Sequence, residues 1–248
     1  MTMKLYCVVP FYNEETYLPA CVDSLLTQTD ADFNLVFVDN GSTDASADVV
    51  KKFIADHPQA ELITEEQKGT GSAADTGFRH AIAQGATHIA RTDADCVADR
   101  EWITKVKQAF AEGTELVLGY PSYRRDAPKA TIKDFFFFPL AVWLSDLHGL
   151  LFWRGPQYKT TYRIGAGNNM AITTELYQQA GGFPRRPLDE QDDDVVLFDA
   201  ARKLTPHIKR YRSVRSYASL RRPRKYGYLR AMLYYWDRKY QPKEVDVR

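Results

Sequence analysis

Cysteine is scarce. Cys7, Cys21 and Cys96 are the only three among 248 residues, an odd set with no CxxC pair and no companion histidine. That pattern excludes a disulfide framework and a structural zinc site, and it predicts three reduced, mostly buried thiols. A clean apolar run is also missing. A membrane-spanning helix needs ~20 apolar residues, whereas the most apolar stretch, Phe135 to Trp153, is interrupted by Pro139, Asp146, His148 and Gly149. The opening residues, MTMKLYCVVPFYNEE, turn acidic before a secretory leader could form, which predicts a cytoplasmic protein. Neither the GxxxxGK(S/T) phosphate loop nor GxGxxG occurs. Net charge is close to nil, at +1. What is present, 44% hydrophobic and 26% charged residues, is the composition of a globular chain and excludes disorder and collagen. The length suits one large α/β domain or two small ones.

The near-neutral total hides a strong asymmetry. Residues 202–248 hold 15 Lys and Arg against three acids, a balance of +12, while residues 1–201 hold 18 basic and 29 acidic residues, a balance of −11. A basic end of this kind can meet phosphate or anionic lipid, or dock as a solvated face on the acidic body. The acidic body would repel a polynucleotide, so no nucleic-acid partner is expected.

The first half alternates in period. Leu5–Val9 is a short apolar run with β-branched residues, a buried strand. Thr16–Gln28 then places Leu18, Cys21, Val22, Leu25 and Leu26 at helical spacing. Further strands are expected at Leu35–Val38, from Leu62, at His88–Thr92 and at Leu116–Leu118, with helices at Ser42–His57, Thr70–Gln84 and Trp102–Ala111. Such alternation predicts a mainly parallel sheet with helices on both faces, and a ligand at the carboxyl ends of its strands.

Polar clusters fall where that rule puts a ligand: Pro10–Glu15 after the first strand, Asp39–Asp44 after the second, Lys68–Ser72 after the third and Asp93-Ala94-Asp95 after the fourth. Asn40 to Thr43 reads equally well as a turn and helix cap. The glycines after Lys68 permit close backbone approach to a phosphate or sugar. Asp93 and Asp95, two residues apart, can converge on one hard cation, Mg²⁺ or Mn²⁺, shared with substrate phosphates; as a bare tripeptide they can also be a polar turn capping the following helix.

Val8-Val-Pro-Phe-Tyr-Asn-Glu-Glu15, Val38-Asp-Asn-Gly-Ser-Thr-Asp44 and Thr92-Asp-Ala-Asp95, in this order and spacing, resemble a family 2 glycosyltransferase of the GT-A fold. Gly165-Ala-Gly-Asn-Asn-Met-Ala171 and Gly181-Gly-Phe183 continue the likeness, which covers roughly residues 4–202. The resemblance implies a nucleotide-sugar donor, usually a UDP-sugar. It assigns Pro10, Tyr12, Asn13, Glu14 and Glu15 to the nucleoside pocket and Asp39 to the base. Gly71 and Asp75 fall near base and ribose, Asp93 and Ala94 near ribose or sugar, and Asp95 on the metal. Asp75 and Thr76 depart from the Arg and Asn often found there. On the acceptor side it points to Gly167, Asn168 and Asn169.

The family also carries an Asp general base in a Glu-Asp pair two residues before a Leu. Aligned on Leu197, that pair is Asp193 and Asp194, with Asp194 as the base; a two-residue shift makes Asp192 the base instead. Without the family, the same run is an acid-rich helix start favoured by the helix dipole. Arg221 and Arg222, in a compact basic cluster, stand where related transferases close a cation over the diphosphate.

These features divide the chain into a donor-binding half (1–120), an acceptor-binding and catalytic half (121–215) with an apolar helical insertion at 132–153, and a basic helical tail (216–248). The insertion has two readings. It is a buried helical hairpin or homodimer contact, or it lies at the inner membrane surface and implies a lipid-linked glycan acceptor. The function expected is metal-dependent, inverting sugar transfer to a glycan or lipid-linked acceptor. A sugar nucleotidyltransferase is disfavoured by the lack of a Gly-rich loop after the first strand. A non-catalytic nucleotide-sugar-binding scaffold would leave the Asp192–Asp194 run idle.

Overall fold

The computed structural model describes residues 2–124, 132–152, 155–163, 165–185, 193–221, 224 and 227. Its elements are, in order, β1 (Leu5–Phe11), α1 (Leu18–Leu26), β2 (Asn34–Asp39), α2 (Ser46–Ile54), β3 (Ala60–Thr64), α3 (Thr70–Ala83), β4 (His88–Thr92), β5 (Val97–Ala98), α4 (Trp102–Ala111), β6 (Leu116–Gly119), β7 (Ser122–Tyr123), α5 (Ile132–Phe152), β8 (Asn169–Thr173), α6 (Thr174–Gln179), α7 (Asp193–Leu204), β9 (Ile208–Tyr211) and β10 (Ser216–Ala218). The expected α/β architecture is present. A seven-stranded sheet runs β3-β2-β1-β4-β8-β6-β9, and β5, β10 and β7 form a small second sheet. All pairs in the large sheet are parallel except those that β8 makes with β4 and β6.

Every residue of β1 is buried, because the strand alternates between two cores. Leu5, Cys7, Val9 and Phe11 meet α1, α2 and α4 through Leu18, Cys21, Val50 and Trp102. Tyr6 and Val8 meet α3, α6 and α7 through Phe78, Leu176 and Leu197. The period-2 pleat therefore sends successive side chains into opposite helical layers. The three thiols are free and buried, as expected, and burial raises the pKa of each.

β1 is also where the strand order reverses: the chain steps from β1 out to β3, then returns to place β4 on β1's other edge. The β1–β4 ladder ends at Val8–Arg91, whereas β1–β2 continues to Phe11–Asp39. Pro10, which lacks an N–H, lies beyond the last β1–β4 pair, where no ladder bond to β4 is lost. The gap that opens there is the crevice in which α/β sheets bind ligands.

The apolar insertion is one continuous helix through Pro139, not a hairpin. Pro139 is exposed, so the carbonyl its ring deprives of a partner can be solvated. Trp153 and residues 228–248 of the tail lie outside the described residues.

Candidate active site

A cleft of about 140 Å³ occupies the β1/β4 crevice. Pro10, Tyr12 and Glu14 enter it from the end of β1, Asp93, Ala94 and Asp95 from the end of β4, Thr70 and Ala73 from the start of α3, and Ala166 and Asn168 from the segment before β8. Ser122, Tyr123, Ala218, Ser219 and Arg221, from the small sheet and the chain after it, close the remaining side. Residues from both halves of the chain thus line one space.

The three carboxylates of the cleft are held by two arginines. Arg91, 3% exposed on β4, donates from Nε and Nη2 to Asp93 Oδ1 at 3.2 and 3.1 Å. Arg221 donates both Nη groups to Glu14, with the Nη1 bond at 2.7 Å, and Nη2 lies 3.3 Å from Asp95 Oδ2. Burial alone would lower the Arg221 pKa, but Glu14 and Asp95 raise it further, so the guanidinium stays charged. Its Nε is buried without a partner. Among the described residues no group of three His, Cys, Asp or Glu could hold a metal by protein ligands alone. Mg²⁺ or Mn²⁺ bound through one carboxylate, substrate phosphates and water needs no such group. Asp95 fits that role: its ion-pair partner among the described residues, Arg221, is one that a phosphate can also attract.

The loops after β1 and β2 interlock. Asn13 adopts φ 52°, accepts from the Thr43 amide at 2.8 Å and donates its own amide to Ser42 at 3.0 Å. Glu15 accepts from the Ala45 amide at 3.0 Å, just before α2, and Asp39 accepts from the Ser42 amide at 2.8 Å. Asn13, Glu15 and Asp39 therefore shape the rim and do not line the cleft. Lys68 stands 3.9 Å over the Tyr12 ring and donates to the Asn40 and Gly41 carbonyls, each at 2.7 Å.

The acidic start of α7 packs against the cleft from behind. A Cβ on Gly71 would lie 2.5 Å from Asp193 Cγ, so only glycine lets the first turn of α3 meet α7. Asp194 faces the other way. Its Oδ2 accepts from the Gly167 amide at 3.0 Å, one residue from the cleft-lining Ala166 and Asn168. A Cβ on Gly167 would come within 3.0 Å of Arg91 Nη1, so this glycine makes room for the guanidinium. Asp192 and Arg222 lie outside the described residues.

Two other residues singled out from the sequence sit in the interior. Asp75 is fully buried, accepting from Tyr177 Oη at 2.8 Å and Arg79 Nε at 2.6 Å, with Arg185 Nη1 3.4 Å away. Burial and the Asp75 charge raise the Tyr177 pKa, keeping the phenol a donor. Arg185 also reaches Glu65 at 2.7 Å. Burial pushes the Glu65 carboxyl up, but its bonds from Thr76, Arg185 and the Gln67 amide outweigh this and hold it below the ordinary value. Asn169 is 2% exposed and ties the Trp102 indole to the Tyr120 and Val214 carbonyls.

Arg91 and Arg185 escaped the sequence reading, which named Lys68 only as the start of a polar cluster. Arg91 alone had a signal, since a cation inside an otherwise apolar strand requires a partner.

Residues 6–172 match the family model described as Glycosyl transferase family 2. Over 109 residues the chain is 31% identical to glycosyltransferase GlyA of Streptococcus pneumoniae, a match covering 44% of this chain and 15% of that protein. It is 30% identical over 116 residues to the chondroitin synthase of Escherichia coli (47% and 16%). With the glycosyltransferase EpsH of Bacillus subtilis the figures are 27% over 134 residues, 54% and 38%. The chain thus spans well under half the length of these relatives. Among solved structures, TarS 1–349 of S. aureus, in complex with UDP-GlcNAc, superposes with a TM-score of 0.64 at 17% identity, covering 94% of this chain and 66% of that one. The mannosyltransferase PcManGT of Pyrobaculum calidifontis, in complex with GDP-Man and Mn²⁺, gives 0.66 at 22%, covering 93% and 60%. At these identities the likeness is one of fold.

Proposed function

The chain belongs to glycosyl transferase family 2 and has the GT-A fold, and from that membership we propose that it moves a sugar from a UDP-sugar to a hydroxyl of a glycan or lipid-linked glycan, with inversion. The observation that carries this reading is the cleft in which Glu14, Asp93, Asp95 and Arg221 meet Ala166 and Asn168, with Asp194 hydrogen-bonded to the intervening Gly167. TarS, solved in complex with UDP and with UDP-GlcNAc, supports the uridine donor, and PcManGT, solved with GDP-Man and Mn²⁺, supports a divalent ion.

On this reading Tyr12, braced by Lys68, offers its ring to the base. Asp93, fixed by Arg91, accepts from a ribose or sugar hydroxyl. Asp95 would hold Mg²⁺ or Mn²⁺, which would supply positive charge to offset that of the departing diphosphate. Arg221 exchanges a carboxylate oxygen for a phosphate oxygen and supplies a second cation there. The acceptor enters past Asn168. Asp194 removes the proton from its hydroxyl; that oxygen bonds to the anomeric carbon as the carbon–diphosphate bond breaks on the opposite face. The Gly167 amide, donating to Asp194 Oδ2, orients that carboxylate.

Calorimetric titration with UDP, GDP and CDP, with and without Mn²⁺, tests the donor side. UDP is expected to bind most tightly, with Mn²⁺ strengthening binding in the parent and not in Asp95→Ala. Equal manganese dependence in both proteins would remove the metal from Asp95. Failure of all three nucleotides would remove the transferase reading.

A further inference from the structure

α5 carries a surface that sugar transfer does not use. Leu140, Trp143, Leu150 and Leu151 are 50%, 59%, 39% and 60% exposed. At about 100° per residue these four positions, with Leu147, share one face of the helix, an apolar stripe about 17 Å long. An apolar patch of this extent marks an interaction surface. Beside it, a groove of about 290 Å³ lies between α5 and residues 161–163, walled by Trp143, Leu147, Leu150 and Tyr162 with Arg163 at its edge.

The charge around the stripe decides between partners. Asp146 accepts from both Nη groups of Arg210, at 2.9 and 2.6 Å, and lies 3.6 Å from Arg163. Among the described residues two guanidiniums, Arg210 and Arg163, face this one carboxylate, a local excess of one positive charge. The neighbouring segment, Gly155 to Arg163, contains no acid, and its exposed Lys159 sits at the end of α7, donating to the Leu204 carbonyl at 2.7 Å. A second copy paired through the same face would set one positive groove against another. An anionic bilayer complements both properties: leucine and tryptophan enter the acyl boundary while arginine and lysine stay with the lipid phosphates.

We propose that the Leu140–Leu151 face of α5 is a membrane-docking surface that lies in the plane of an anionic bilayer. No helix among the described residues is long and apolar enough to cross a membrane, so the docking is peripheral. This inference stands apart from the transferase reading and needs no donor or acceptor.

Co-sedimentation of the full chain with vesicles of phosphatidylcholine, and of phosphatidylcholine mixed with phosphatidylglycerol, tests it. The parent is expected to bind the anionic vesicles more tightly, and added salt to weaken that binding. The double substitution Trp143→Ser, Leu151→Ser, at positions more than half exposed, is expected to weaken it about tenfold or more, with circular dichroism unchanged. Arg163→Gln, which leaves Asp146 paired with Arg210, is expected to reduce the preference for anionic lipid. Absence of binding to either vesicle would overturn the proposal, as would a double variant that binds as well as the parent. So would light scattering that finds a dimer in the parent and a monomer in the double variant.

Discussion

Arg91 and Arg221 divide the cleft's carboxylates between them, and the division has unequal consequences. Removing Asp93 leaves Arg91 buried without a counter-charge, so Asp93→Ala is expected to cost about 3 kcal/mol of stability in urea unfolding as well as weakening donor binding. Asp95→Ala leaves Arg221 still bidentate on Glu14, and is expected to unfold at nearly the parent's urea concentration. At the back of the cleft, Asp194→Asn keeps an oxygen for the Gly167 amide and loses the base. Turnover is expected to fall about a hundredfold or more with calorimetric UDP affinity unchanged. Near-parental turnover would shift the base to Asp193 or Asp192. Spacing from Leu197 sets Asp194 apart from Asp193 through the family pattern; in three dimensions the two part as well, Asp193 toward Gly71 of α3 and Asp194 toward Gly167.

Among the elements, α3 acts as a keel that joins one wall of the cleft to α6 and α7. Its Asp75 holds Tyr177 of α6, and the same hydroxyl accepts from the Phe183 amide at 3.0 Å. Tyr177→Phe leaves a buried carboxylate and a buried amide each short of a partner, and is expected to cost about 1–3 kcal/mol in thermal or urea unfolding. Gly149 of α5 sits against the Tyr162 ring with no room for a Cβ; Gly149→Leu is expected to lower the midpoint of thermal unfolding by forcing α5 away from residues 161–163. The first-half elements were legible because each carries its own period: Leu5–Val9 as a strand, Leu18–Leu26 as a helix. β8 was not read as a strand, although its sequence was recognised as a segment, because nothing local records that Asn169–Thr173 runs antiparallel between β4 and β6. The continuity of α5 was obscured by Pro139 and Gly149, which break isolated helices but are accommodated here by an exposed ring and a packed tyrosine.

For the molecule as a whole, acid should act in two stages. Burial lowers the His88 pKa, and the native state thus binds fewer protons than the unfolded chain below the ordinary histidine value of about 6.5. Stability contributed by neutral His88 is present above that value and is lost as pH falls through the window beneath it. The carboxyls of Glu65 and Asp44 are likewise lowered, by hydrogen bonds that outweigh burial, and their contribution is lost in turn below about pH 4. Urea midpoints are expected to decline gently from pH 7 to 5 and steeply below 4. His88→Phe should remove the first stage; a decline that persists unchanged in that variant would assign it elsewhere. The location of the cleft was legible at this scale, since four polar clusters followed four strands. The pairings that complete it were not, because partners such as Glu14 and Arg221 stand 207 positions apart and share no periodicity.

That separation also sets an order of events in synthesis. Glu14 and Asp95 emerge long before Arg221 does, so the nascent sheet must assemble with two acids facing each other and no cation between them. The cleft acquires its closing side only when the chain around and after β10 arrives. A product cut short before Ser219 would keep the sheet's strands and lack the residue that quenches this repulsion, leaving an early folded body that ought to turn over faster in the cell than the longer chain.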